Sequence, residues 1–97
     1  MTDVHSEFFA TVRIAPDAPI HGDKLVPRFG ASVRMSDHLY VGMVLWSDRP
    51  LGRGEEGILR IGISGSSIAV GDVFELVAGR TVFGFGTVTK IVAENAV

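Results

Sequence analysis

The groups in this sequence that could do chemistry are a few serines, histidines, carboxylates and arginines. Ser64, Ser66 and Ser67 offer hydroxyl nucleophiles, and His5, His21 and His38 offer bases. A serine hydrolase would need one such pair oriented by an acid. No G-x-S-x-G elbow surrounds these serines, and the run S-G-S-S has the composition of a plain turn. His21 and Asp23 are of metal-ligating type. No i, i+4 histidine pair extends them, and the chain has no cysteine. Glu55 and Glu56 are adjacent carboxylates inside a charged loop, where keeping that loop solvated is the simpler role. Gly84–Phe85–Gly86 has the opening spacing of a nucleotide-binding glycine loop but lacks its third glycine and its helix. Structural glycines that let a barrel strand coil and a neighbouring side chain cross over it account for the pair better. The expectation is a protein that is not an enzyme, with no cofactor and no metal.

Two sets of residues suit recognition instead. Seven of the nine basic residues are arginines. Arg28 and Arg34 flank one outer strand face, with Arg13 and Arg60 outward on others. On neighbouring strands they would form a planar donor patch for phosphates or carboxylates. Cross-strand pairing with Glu7, Glu75 and Asp37 is the competing role, and the net charge of −2 favours it. The second set is apolar. Tyr40 and Trp46 share one face of the His38–Trp46 segment by parity, with Met43 and Leu45 on the other. In a single-layer wall one of those faces points outward, as a contact strip or as a surface beneath the Ser47–Gly57 loop.

The elements that must carry these residues are strands. Phe8, Ala10, Val12 and Ile14 alternate against Phe9, Thr11 and Arg13. Phe29, Ala31, Val33 and Met35 alternate against Arg28, Gly30, Ser32 and Arg34, and Ser36–Asp37 reads as a turn. His38–Trp46 is an apolar run with little alternation, as in a strand covered on both faces or one whose outer face meets a partner. Leu59, Ile61 and Ile63 face inward, opposed by Ile58, Arg60 and Gly62. Phe74 and Leu76 follow, then a tight turn at Ala78–Gly79 and a last strand over Thr81–Val92. Pro16–Gly22 and Ser47–Gly57 are loops by their breakers. Six strands at short spacing with no helical period predict an all-β barrel or sandwich. At 97 residues it is one domain, with a core over 5–92 and frayed ends.

Several motifs then carry a family likeness. The chain resembles the C-terminal β-barrel domain of translation elongation factor Tu and related translational GTPases, over about His5 to Ile91. H-S-E-F-F-A-T-V-R-I (His5–Ile14) is similar to the family's H-x-x-F-x-A-x-V opening strand. V-P-R-F (Val26–Phe29) is similar to its R-P-Q-F. Phe74–Leu76 with A-G-R-T-V-F-G-F-G-T-V-T-K-I looks like F-x-[IL]-R-E-G-G-R-T-V-G-x-G-V-V, with one residue more between Arg80 and Gly84, expected as a bulge. The resemblance implies a single six-stranded antiparallel closed β-barrel, here standing alone. In the family this domain helps grip aminoacyl-tRNA and packs against the GTPase domain and the exchange factor. This chain departs where those contacts are made: Arg28 replaces the Gln of R-P-Q-F, and Val77 and Ala78 replace a Glu and a Gly. The family's Arg-His pair in the first loop has one counterpart, His21. No G-x-x-x-x-G-K-[ST] loop is present, so GTP binding in the family's manner is not expected.

The composition is that of an ordinary globular domain, without the strong positive charge of a general nucleic-acid binder. No run approaches the ~18 apolar residues of a membrane helix, and Met1–Glu7 has no basic-then-apolar leader, so a cytoplasmic protein is expected. The functional expectation is a non-catalytic module that binds a protein partner, with translation as the related process that the resemblance alone implies. Tyr40, Met43, Trp46, Arg28, Arg34 and Arg80 are its candidate contact residues. A tRNA- or RNA-binding accessory using Arg28, Arg34 and Arg80 is the alternative, and a small hydrolase stands third.

Overall fold

The computed structural model describes residues 4–18, 24–25, 30–64 and 68–96. Arg28, His21, Asp23, Ser66, Ser67 and the Val26–Phe29 motif lie outside them. The strands are β1 (Val4–Ile14), β2 (Lys24–Leu25), β3 (Gly30–Met35), β4 (His38–Ser47), β5 (Leu51–Gly52), β6 (Glu56–Ser64), β7 (Val73–Ala78) and β8 (Thr81–Ala96). Among the described residues there is no helix. Six strands close an antiparallel barrel in the order β1-β6-β4-β3-β7-β8, with β8 joining β1, and β2 and β5 form a separate pair. The expected closed six-stranded architecture is the observed one.

Period-2 alternation explains the core directly. Phe8, Ala10, Val12 and Ile14 are buried from β1; Leu59, Ile61 and Ile63 come from β6, Val33 from β3, and Phe74 and Leu76 from β7. Their neighbours on β1 and β3 are half-buried or exposed, whereas on β7 Val77 is buried beside Leu76, where the ladder shifts register. Phe8 and Phe74 meet edge to face inside the barrel, with centroids 5.6 Å apart. The Phe74 ring also lies across Gly86. A Cβ built on Gly86 would come within 2.8 Å of two ring carbons and closer still to Cζ.

The hairpins and bulges set the registers. Ser36 and Asp37 join β3 to β4 with φ of 45° and 67°. That two-residue, doubly left-handed geometry suits the twist of an antiparallel ribbon. The β7–β8 hairpin turns at Gly79–Arg80, one residue later than expected, because Ala78 pairs with Thr81 and Gly79 takes a φ of 62°. Against β7, Leu76 faces Gly84 while Val77 faces Val82, so β8 carries one extra residue, Phe83, at this point. This is the bulge expected between Arg80 and Gly84, and it turns Phe83 into the core. Thr89 and Val92 are also unopposed, where β8 slips against β1. Thr89 Oγ1 donates to the Phe9 carbonyl at 3.2 Å. Pairing runs past the expected 5–92 core, since Val4 faces Ala96.

The Ser47–Gly57 segment is more than a solvated loop. It contains β5, and Leu51 is fully buried. Backbone bonds hold the segment against the end of β1: Ile14 N–H donates to Glu55 O, and Gly54 N–H to Ile14 O, each at 2.9 Å. Arg53 Nε donates to the Ala18 carbonyl at 2.7 Å, and Arg49 to the Glu56 carbonyl. The loop therefore plugs the barrel beside β1 and does not cover the outer face of β4.

Candidate binding surfaces on the outer wall

Strand β4 carries the first surface. Leu39, Val41 and Met43 project outward in strict alternation, and Val41 is 77% exposed. The alternation then breaks. Val44 faces Ile61 but Trp46 faces Arg60, so Leu45 is an extra residue and a bulge shifts the parity. Leu45 and Trp46 are both exposed as a result. This corrects the expectation that Tyr40 and Trp46 share a face. Trp46 lies on the outer wall with Met43, whereas Tyr40 is half-buried and packs against the core. A bulge of one residue has no signature in an apolar run, so parity counting carried Trp46 to the wrong side.

Trp46 does not stand alone. Phe9 on β1 meets its ring edge to face, with centroids 5.9 Å apart. Arg60 lies between them in register, opposite Trp46 on one side and Phe9 on the other. It donates to Glu7 Oε1 from Nη2 at 2.9 Å and from Nε at 3.2 Å. Leu39, Val41, Met43, Leu45, Trp46 and Phe9 thus make an apolar strip along one side of the cylinder.

The expected arginine patch is not assembled among the described residues. Arg34 is outward but gives its guanidinium to Glu75 at 2.7 Å, directly across the β3–β7 ladder. Arg60 is held by Glu7. Cross-strand pairing, the competing role, is what these two do. Each pair is partly solvated and contributes only about 0.2–1 kcal/mol. Arg60→Ala is accordingly expected to lower the unfolding free energy by less than about 1 kcal/mol in urea denaturation. A loss above about 2 kcal/mol would mean that the Arg60 stem, not its charge, holds Phe9 and Trp46 together. Arg80 is exposed in the β7–β8 turn, well along the chain from either arginine.

A second surface was missed at the level of sequence. A groove of about 670 Å³ opens on the β7–β8–β1 side, lined by Thr11, Arg13, Arg34, Glu75, Phe85 and Thr87 among others. Phe85, between the two structural glycines, points outward and is 51% exposed. Its signal was present: a bulky aromatic of outward parity set between two inward glycines.

Among the described residues no cluster of three or more histidines and carboxylates could hold a metal ion, and no helix is long and apolar enough to cross a membrane. His38 lies exposed beside Tyr40, with ring centroids 6.1 Å apart, and Ser64 ends β6. The architecture defines a small closed barrel whose distinguishing chemistry is on its exterior. No family model matches the chain, and no curated protein does.

Proposed function

We propose that this chain is a non-catalytic binding module that takes a protein partner on the outer face of β4. The observation that carries this reading is the exposed strip of Leu39, Val41, Met43, Leu45 and Trp46 on a single strand. A contiguous apolar surface of this kind on a small domain costs solubility unless something uses it. Trp46, backed by Phe9, has the form of an interface anchor: a large ring, already oriented, with a polar edge. Arg34 and Arg60 are engaged by carboxylates and the net charge is −2, which weighs against the RNA-binding alternative. The likeness to the elongation factor Tu barrel supplies translation, and with it the cytoplasm, as the setting of this reading.

A photo-crosslinking residue at Val41 tests the proposal in cells. One protein adduct of defined mass is expected, absent when the residue is placed at the exposed Thr81 and lost in a Met43→Asp background. Met43 is outside the core, so that variant should melt like the parent. An adduct unaffected by Met43→Asp, or tRNA binding at low salt that falls steeply as salt rises, would count against it.

A further inference from the structure

The groove around Phe85 has a charge order that no single-signed ligand satisfies. The register places five residues in one row across five strands: Arg34 opposite Glu75, Glu75 opposite Phe85, Phe85 opposite Arg13, and Arg13 opposite Glu56. The signs run plus, minus, ring, plus, minus. Steep tilt keeps this row on one side of the cylinder, since Arg34 and Glu56, its two ends, line the same groove. Asp37 lines it as well, so an anion would face three carboxylates and a cation two guanidiniums.

Read backwards, the row has the opposite sign at every charged position. We propose that a second copy of this chain docks on this face, about a two-fold axis running along β8 at Phe85. Such an axis sets Phe85 against its own copy, Glu75 against Arg13 of the other protomer, and Arg34 against its Glu56. An isologous contact requires this self-complementarity. The groups are available for it. Among the described residues the Arg13 guanidinium has no hydrogen bond or ion pair, and Glu75 engages Arg34 through Oε1, which leaves Oε2 open. Phe85 and Val73, the latter 70% exposed, supply the apolar centre. In the neighbouring row Thr87 lies between Val73 and Thr11, and the same axis brings Val73 onto Thr11 of the mate. This face is separate from the β4 strip, so the two proposals stand independently.

Sedimentation velocity of the full chain across a concentration series reads the outcome. The parent is expected to dimerise. Arg13→Glu and Glu75→Arg each place like charges opposite one another, and each should raise the dissociation constant at least about tenfold. Mixing the two variants should restore a dimer containing one of each, because every contact becomes attractive again. The double variant R13E/E75R should also dimerise, while Met43→Asp should have no effect. If Glu75→Arg fails to fold without its Arg34 pair, Phe85→Asp replaces it and should give a monomer by setting two carboxylates on the axis. A parent monomeric at every concentration overturns the proposal. So does a dimer indifferent to Arg13→Glu and Phe85→Asp, or one lost with Met43→Asp.

Discussion

Gly86→Ala is expected to destabilise the barrel by about 2–3 kcal/mol, the upper range for overpacking a tight core. The added methyl would meet the Phe74 ring at 2.8 Å or less, and ring carbons cannot yield as the end of a flexible side chain can. Phe74 would have to leave its position, and with it the edge-to-face contact with Phe8. In a domain of this size the loss amounts to a fall in melting temperature of roughly 4–8 °C per kcal/mol. Phe74→Leu in the Gly86→Ala background should recover part of that fall, since the obstruction is gone. A Gly86→Ala variant that melts with the parent would mean that Phe74 does not cross the strand there. Gly84→Ala is the control: its nearest neighbours are Leu76 Cδ1 at 3.3 Å and the Arg13 carbonyl at 3.4 Å, so its penalty should be smaller.

Leu51→Ala is expected to cost about 2–5 kcal/mol, the range for deleting a fully buried leucine. The figure is unusual for a residue inside a loop of charges and glycines. Leu51 is wholly shielded from water, and its Cδ2 takes the space that a Cβ on Gly57 would need, 2.7 Å away. It anchors a segment otherwise fixed by backbone bonds to Ile14 and by Arg53 on Ala18. Removing the anchor should raise hydrogen exchange at the Ile14 and Gly54 amides before it affects β6 or β8. Denaturant unfolding and amide exchange check both parts. A cost under about 1 kcal/mol, with the Gly54 amide still protected, would show that the backbone bonds alone hold the plug.

The wall of this barrel was legible because burial has a period. Phe8 to Ile14 are buried in strict alternation, Leu59, Ile61, Ile63, Phe74 and Leu76 keep the same period, and that period survives in a sequence. The Gly86 crossing was legible too, since only a bend or a close approach explains glycines spaced two apart in a strand. Leu51 was not. A lone leucine among eleven loop residues belongs to no period, and its burial depends on the chain folding back onto Ile14. The position of Trp46 was lost to an inserted residue that only pairing reveals. The candidate sites divide in the same way. Met43 is exposed as an outer-face residue, and Arg34 lies outward with Glu75 as its partner. The alternating row through Phe85 joins residues 13, 34, 56, 75 and 85, which long-range register alone brings together.

That β8 forms the seam between β7 and β1 bears on how the protein is made. Synthesis delivers this strand after all the others, and two of its inward positions are the glycines that accept Leu76 and Phe74. Until it emerges from the ribosome, β1 and β7 are both bare edges and the interior gapes along one side. A nascent chain stopped near Ala78 is thus an open sheet offering Phe8 and Phe74 to whatever is close by. Quality control would meet such a fragment as a sticky intermediate, not as a shorter working protein.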